Sequence, residues 1–389
     1  MKASYDTAQV AGRRVLVRED LNVPLRDGKV ADDTRIRAAL PTLGGLSERG
    51  ARVVVASHLG RPGGRPDPAF SLRPVAGRLA ELLDRRVAFA PDCIGAPARE
   101  AVTALGDGDL VLLENLRFHA GEEADDPDFA AALAALGELF VEDAFAACHR
   151  AHASVVGVAR RLPAYAGALL LSELEALHRA LDDPRRPLVA IVGGAKVSTK
   201  AEVLRSLLPR VEALLVGGAM ANTFFKARGA EVGASLVEDS ALEEAAAVDR
   251  LGGEKLVLPV DALCARRPEA GQPTRVMPVG EIEPGWMILD LGPESVRLFG
   301  GRLEGAGTVV WNGPLGVTEI PDFLGGTRQV AEAVTASGAY TLVGGGDTAA
   351  AVRELGMASR FSHVSTGGGA TLEYMEGKEL PGVAVLPEA

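Results

Sequence analysis

Lys196 and Lys200 stand four residues apart, just after Gly193-Gly194 and the apolar run Leu188–Val192. If a helix starts there, both ammonium groups share one face near its N-terminus, where the helix dipole already places partial positive charge. A bound polyanion resolves that conflict, and exposed backbone N–H groups at the turn would add to its grip. Composition sharpens the pairing, because only seven of the 41 basic residues are lysine. A second constellation is built from arginine. Short apolar runs at Val15–Arg18, Arg52–Ala56, Leu110–Leu113 and Leu139–Val141 each lead into arginine with small polar partners. Arg18 precedes Asp20 and Asn22, and Arg35 lies beyond a turn at Asp27-Gly28. His58-Leu59-Gly60-Arg61 follows the second run, Arg117 the third and Arg150 the fourth. Guanidinium groups match phosphate and carboxylate oxygens two at a time, so these arginines on one crevice would hold a small, highly charged anion. Any one of them is ordinarily a solvated or paired side chain; their recurrence at strand ends is the signal.

Such residues need a scaffold. Between the apolar runs lie Ala- and Leu-rich segments of helical spacing, such as Pro74–Leu83 and Asp128–Leu136. That alternation is the pattern of a parallel sheet covered on both faces, whose ligand edge is the carboxyl end of its strands. The second half repeats it with strands expected at Leu188–Val192, Ala213–Val216, Lys255–Pro259, Thr308–Trp311, Tyr340–Val343 and His363–Val364. Most of these run into glycine: Gly193-Gly194, Gly217-Gly218, Asn312-Gly313-Pro314-Leu315-Gly316, Gly344-Gly345-Gly346-Asp347-Thr348, and Gly367–Gly369 before a helix over Thr371–Glu376. Backbone amides can then approach a ligand closely. Asp347 has an ordinary role as a helix cap and a functional one in holding Mg²⁺ on nucleotide phosphates. Glu319 could accept hydrogen bonds from a ribose. Residues 168–183, with Leu169, Leu170, Leu174, Leu177 and Leu181 on one face, form a helix between the two blocks and mark the domain boundary.

A chain of 389 residues exceeds what one core organises, and 47% hydrophobic with 24% charged residues is an ordinary globular composition. Net charge is −11, with 22 basic against 27 acidic residues in 1–184 and 19 against 25 in 185–389. No basic block marks a nucleic-acid surface, so any anion site is local. The N-terminus is polar, and the most apolar run, Ala164–Leu171, is too short to span a bilayer. Cys93, Cys148 and Cys264 lack metal-ligand spacing and are expected as buried free thiols in a reducing cytosol. His149 and His152 have the spacing of metal ligands but no third ligand nearby in sequence, which favours hydrogen-bonding or structural roles. No P-loop, no G-x-G-x-x-G after a strand and no G-x-S-x-G elbow is present.

Taken in order, the motifs resemble phosphoglycerate kinase. They are Glu19-Asp-Leu-Asn-Val-Pro, Ser57-His-Leu-Gly-Arg-Pro, Leu113-Glu-Asn-Leu-Arg-Phe, Asp143-Ala-Phe through His149-Arg-Ala-His, Gly193-Gly-Ala-Lys-Val-Ser-Thr-Lys, Val310-Trp-Asn-Gly-Pro-Leu-Gly-Val, Gly344-Gly-Gly-Asp-Thr-Ala and Ser362-His-Val-Ser-Thr-Gly-Gly-Gly-Ala. The resemblance covers nearly the whole chain. It implies an α/β fold of two Rossmann-like parallel-sheet three-layer domains joined by a hinge helix. Residues 1–167, with 375–389 packing back, would bind 3-phosphoglycerate, and 184–374 would bind MgATP or MgADP. It implies reversible phosphoryl transfer, in glycolysis or carbon fixation, after domain closure. Substrate positions fall on Arg18, Asp20, Asn22, Arg35, His58, Leu59, Gly60, Arg61, Arg117 and Arg150. Nucleotide positions fall on Gly194, Ala195, Lys196, Lys200, Gly217, Gly218, Asn312, Pro314, Gly316, Val317, Glu319, Gly345, Gly346, Asp347 and Thr348. Arg35, Lys196, Gly346 and Gly368 fall at catalytic positions, and Asp347 at the Mg²⁺ position. A cytoplasmic monomer is expected, with no nucleic-acid or membrane partner. Ala146-Ala147-Cys148, Thr318 and Thr199 depart from residues common in the family, and none removes a charged group. Two other readings stay open, a phosphotransferase acting on another small acid and a nucleotide-binding protein without turnover.

Overall fold

The computed structural model describes residues 2–389. The chain divides into two compact units, residues up to Glu175 with Glu379–Ala389, and Ala176–Lys378. The division falls inside the helix Ala168–Leu177, which runs on into a π-turn at His178–Asp182.

The first unit is built on six parallel strands: β1 (Arg14–Arg18), β2 (Arg52–Ala56), β3 (Val87–Ala90), β4 (Leu110–Leu113), β5 (Leu139–Glu142) and β6 (Ala164–Ala166). Their order across the sheet is β3-β4-β2-β1-β5-β6, and Val17 registers with Val55 on one side and Val141 on the other. Val15, Leu16 and Val17 are all buried, as a strand covered on both faces requires. Val15 and Val17 pack with Val53 and Val55 against Ile36, Leu43 and Leu46 of the helix Thr34–Glu48, and with Leu72, Val75 and Leu79 at the helix Arg73–Leu83. Each such side chain contributes about 1.5–3 kcal/mol by leaving water. The tail closes onto this same unit. Ala3 N–H donates to the Pro387 carbonyl at 3.0 Å, Lys2 Nζ lies 2.7 Å from Glu388 Oε1, and Gly382 N–H donates to the Cys148 carbonyl at 2.9 Å.

The second unit has β7 (Leu188–Val192), β8 (Ala213–Val216), β9 (Leu256–Val257), β10 (Thr308–Asn312), β11 (Tyr340–Gly344) and β12 (His363–Val364). All pair in parallel in the order β9-β8-β7-β10-β11-β12. A three-stranded antiparallel sheet, Arg275–Pro278, Asp261–Ala265 and Met287–Leu291, is inserted after β9.

Several sequence expectations are corrected. β3 was not expected. The run Lys255–Pro259 is a strand only over Leu256–Val257, because a 3₁₀ turn occupies Gly253–Lys255. The helix expected from Thr371 starts at Gly368. The tail joins the first unit from Glu379 rather than 375, since Lys378 pairs with Glu202 and Glu376 in the second. Leu43 is fully buried in the first core. Leu43→Ala should therefore destabilise that unit by about 2–5 kcal/mol. Chemical denaturation with an unchanged midpoint would contradict this packing.

Candidate active site

In the first unit the strand order reverses between β1 and β5, and Arg18 and Glu142 pair in register at their carboxyl ends. That is where an α/β sheet opens a crevice. Arg18 is 1% exposed. Its Nε donates to Ser154 Oγ at 2.8 Å, Nη1 to the Glu19 carbonyl at 2.5 Å, and Nη2 meets His58 Nδ1 at 3.1 Å. Ser154 in turn donates to Glu122 Oε1 at 2.6 Å. Arginine cannot accept a hydrogen bond, so His58 Nδ1 is the acceptor and Nε2 keeps the ring proton. Burial, and after it the charges of Arg18, Arg117, Arg150 and Arg35, hold His58 well below the ordinary histidine range. It is neutral at physiological pH. Arg18 is bonded to this imidazole, and the fields of Arg117, Arg150 and Arg35 reach it.

The others are held in a chain. Arg35 Nη1 is 3.0 Å from Asp20 Oδ2 and 3.0 Å from the Asn22 carbonyl; Asn22 Oδ1 accepts from Gly60 N–H at 2.9 Å; Arg117 Nη1 donates to the Gly60 carbonyl at 2.8 Å. Leu59 N–H donates to Asn115 Oδ1 at 3.2 Å, which fixes the loop from behind. Arg150 Nε donates to His149 Nε2 at 3.0 Å, and burial followed by the Arg150 charge lowers His149 to about 4. Arg61 is exposed and has no hydrogen bond or ion pair among the described residues. Arg18 differs from the rest. Every nitrogen of its guanidinium is committed inside the protein, so it positions His58 instead of facing the crevice. Its supports, Ser154 and Glu122, lie far along the chain and carry no local mark of that role.

In the second unit the order reverses between β7 and β10. Their loops cross backbone on backbone: Gly193 N–H donates to the Asn312 carbonyl at 2.9 Å and Gly194 N–H to that of Pro314 at 3.0 Å. A Cβ on Gly193 would lie 2.1 Å from the Pro314 carbonyl oxygen. Gly218 has φ +70°, and its Cβ would meet both Gly194 and Pro314 at 2.7 Å. Only glycine fits either place. A cavity of about 250 Å³ opens beside this crossing. Of the nucleotide positions named from sequence, Gly194, Ala195, Gly218, Pro314, Gly316, Val317, Glu319 and Asp347 line it. Gly217, Asn312, Gly345 and Thr348 do not line it, though Thr348 Oγ1 accepts from Gly313 N–H at 2.7 Å.

The expected helical face of Lys196 and Lys200 does not form. Residues 197–200 make a turn, and the helix Ala201–Leu207 starts after Lys200. Lys196 is exposed, and its ammonium group makes no hydrogen bond or ion pair among the described residues, although its carbonyl accepts from Thr199 Oγ1 at 3.0 Å. Lys200 Nζ donates to Asn312 Oδ1, and Asn312 is 1% exposed. Burial lowers Lys200 to about 8, against the opposing fields of Asp347 and Glu376. Gly346 and Gly368 each open a helix, Gly346–Glu354 and Gly368–Met375, so their turns present unpaired N–H groups. Asp347 is exposed in the first turn of its helix; the N-cap is Gly345.

The cavity also uses residues that carry no local mark of a site. Leu236, 56% exposed, lines it together with Ile288 and Phe225. Asp261 accepts from Ser295 N–H at 2.7 Å and Glu294 N–H at 3.1 Å, capping the helix Pro293–Leu303 from another strand. Asp290 does the same for Gly325–Ala336, accepting from Gly326 N–H at 2.7 Å, and burial raises it to about 7. Their only sign in the sequence is an acid at a strand boundary.

An arginine crevice and a glycine-framed cavity at two sheet reversals are the sites of a two-unit α/β phosphotransferase. The family model described as phosphoglycerate kinase matches residues 5–378. A Frankia casuarinae protein named phosphoglycerate kinase is 57% identical, over 98% of this chain and 99% of its own length. One from Rubrobacter xylanophilus is 56% identical, over 100% and 98%. The phosphoglycerate kinase structure from Coxiella burnetii superimposes with a TM-score of 0.89 at 43% identity, covering 99% of this chain and 98% of that one. The chain belongs to the phosphoglycerate kinase family.

Lys200 is charged below pH 8 and loses its proton above it, so a nucleotide polyanion should be held less well as pH rises. Between pH 7 and 9, MgADP affinity should fall about tenfold if only the charged form binds. Calorimetric titration should show that slope flattened in Lys200→Gln; an equal slope in both proteins would remove Lys200 from the nucleotide site.

Proposed function

We propose that the chain catalyses reversible transfer of a phosphoryl group between ATP and the carboxylate of 3-phosphoglycerate, giving 1,3-bisphosphoglycerate and ADP. The observation that carries this is the linked cluster at the β1–β5 reversal, where Arg35, Asn22, Gly60 and Arg117 are joined by hydrogen bonds and Arg18 holds the buried His58. A small substrate with a phosphate at one end, a hydroxyl and a carboxylate at the other suits such a crevice.

Arg61, Arg117 and Arg150 fix the phosphate of the acceptor, and Asp20 with Asn22 orients its hydroxyl. His58 donates Nε2–H to an acceptor oxygen while Arg18 holds the ring. In the second unit the apolar wall of Leu236, Ile288 and Phe225 takes the base, Glu319 the ribose, and Lys200 with the glycine amides the phosphates. Asp347 is an uncommitted carboxylate on the cavity lining, making no hydrogen bond or ion pair among the described residues. Such a hard oxygen donor fits Mg²⁺, which takes one or two carboxylates beside phosphates and water. Bound there, Mg²⁺ would neutralise nucleotide phosphate charge.

The acceptor carboxylate is ionised at neutral pH and needs no general base. Its oxygen forms the new bond to the γ-phosphorus as the bond to the ADP oxygen breaks, and that electron pair leaves with ADP. Stabilising charge on the transferring group is the main task, and it falls to Lys196, Arg35 and the amides of Gly346 and Gly368. Closure of the units once both ligands are bound is part of the proposal, since it would expel water that competes for the phosphoryl group. So is action as a cytoplasmic monomer. Free, buried Cys93, Cys148 and Cys264 support a reducing compartment, and no helix among the described residues is long and apolar enough to cross a membrane.

Purified protein with 3-phosphoglycerate and MgATP should show saturable acyl-phosphate formation, read through a coupled reductase and abolished by EDTA. A folded protein that binds MgADP but does not turn over 3-phosphoglycerate would overturn the acceptor assignment. Lys196→Ala should lower kcat on the order of 10²-fold, as removal of a preorganised donor does; near-normal kcat would end its catalytic role.

A further inference from the structure

The carboxyl ends of β3 and β4 carry a group that the phosphoryl-transfer site does not use. Asp92, Cys93 and His119 bring one ligand atom each within 4.8 Å of one another. Asp92 and Cys93 follow β3, and His119 closes the 3₁₀ turn Leu116–Phe118 after β4. The three come from two separate strand–loop segments, so their meeting is a product of the sheet order β3-β4.

Each ligand is already held. Asp92 Oδ1 accepts from Cys93 N–H at 2.7 Å and lies 2.7 Å from His119 Nε2, which leaves Oδ2 without a partner among the described residues. The His119 ring packs on Phe129 with centroids 5.3 Å apart. Cys93 is fully buried, whereas the Asp92 and His119 side chains are 40% and 31% exposed. The thiol therefore closes the inner side of the group, and its outer side is open to water. A nucleophilic Cys-His-Asp arrangement does not suit this burial, because an attacking thiolate must reach a substrate.

We propose that Asp92, Cys93 and His119 form a three-ligand site for a borderline-soft divalent cation of the Zn²⁺ or Co²⁺ class, with water in the fourth position. Mixed S, N and O donors in this number suit those ions, whereas Mg²⁺ takes oxygen ligands in an octahedron. The ion enters between His119 Nε2 and Asp92. The Nε2–Oδ1 contact gives way to two bonds to the metal, the Nε2 proton moves to Nδ1 or solvent, and the Cys93 thiol proton passes to solvent as the S–metal bond forms. Fixed ring and carboxylate orientations are what supporting contacts supply in metal sites. The group also shares a turn with the acceptor crevice, since Glu122 N–H donates to the His119 carbonyl at 3.2 Å and Arg117 lies two residues earlier.

Full-length protein stripped with chelator and titrated with Co²⁺ tests this. We expect a thiolate-to-cobalt charge-transfer band in the near ultraviolet, saturating at one equivalent, displaced by Zn²⁺ and unaffected by excess Mg²⁺. His119→Ala and Asp92→Asn should each weaken Co²⁺ binding by at least the 10- to 100-fold that losing a supporting partner costs, about the least expected for a direct ligand. Cys93→Ser should abolish the band, and Cys148→Ser and Cys264→Ser should keep it. Absence of the band in the unmodified protein, or its survival in Cys93→Ser, overturns the site. If Cys93→Ser does not fold by circular dichroism, the partly exposed His119 decides: an unchanged Co²⁺ midpoint in His119→Ala overturns it equally.

Discussion

A buried guanidinium has to be paired, and the first unit is arranged around meeting that need for Arg18. It stands at the sheet reversal, shut off from solvent, with Ser154 and Glu122 behind it and His58 in front. Glu122 is held below the usual carboxylate range despite its burial, by His152, Arg18 and Ser154. It supplies the countercharge. Two neighbours are different. Burial, then the nearby acidic groups, raises Glu19 well above its usual range, and Glu142 is raised chiefly by burial against the pull of Arg18. Burial also raises Asp143, to about 6. Both Glu19 carboxyl oxygens and Asp143 Oδ2 are buried without a hydrogen-bond partner among the described residues. The crevice can then gather arginines above a base whose charge is balanced without a ligand.

The second unit solves a problem of access. At the β7–β10 crossing backbone meets backbone, and side chains there would hold the loops apart. Gly193 and Gly218 remove them, and the loops then stabilise one another through the Gly193–Asn312 and Gly194–Pro314 bonds. Trp311 Nε1 donates to the Gly313 carbonyl at 2.8 Å, tying the same crossing to the core. Asp261 and Asp290 fix two helix starts on the far wall, so the cavity keeps its shape through contacts made at helix ends. The two units thus use opposite devices, charged side chains in one and exposed backbone in the other.

How much of this was legible depended on the range of the interaction. Runs such as Leu188–Val192 and Leu110–Leu113 are buried on both faces, so apolar continuity alone marks their place. Val87–Ala90 is only partly buried at a sheet edge and carries no such signal. Arg275–Pro278 is exposed at three of four positions, and its pairing depends on partners elsewhere in the chain. The arginines stand out because each follows a strand; which way Arg18 points does not, since its burial is decided by Ser154, 136 residues away. Lys196 and Lys200 have a helical spacing that no helix realises there. Both lie at the glycine crossing for a reason the sequence did show, the double glycine at a strand end.

The tail contacts have a consequence for synthesis. Residues Glu379–Ala389 belong to the first unit, so the second is in effect an insertion within it. Ala3 and Lys2 find Pro387 and Glu388 only after everything between has been made. On the ribosome the second unit can finish packing while the first still lacks its last segment. The order in which the sheets are written along the chain is therefore the reverse of the order in which their units can be completed.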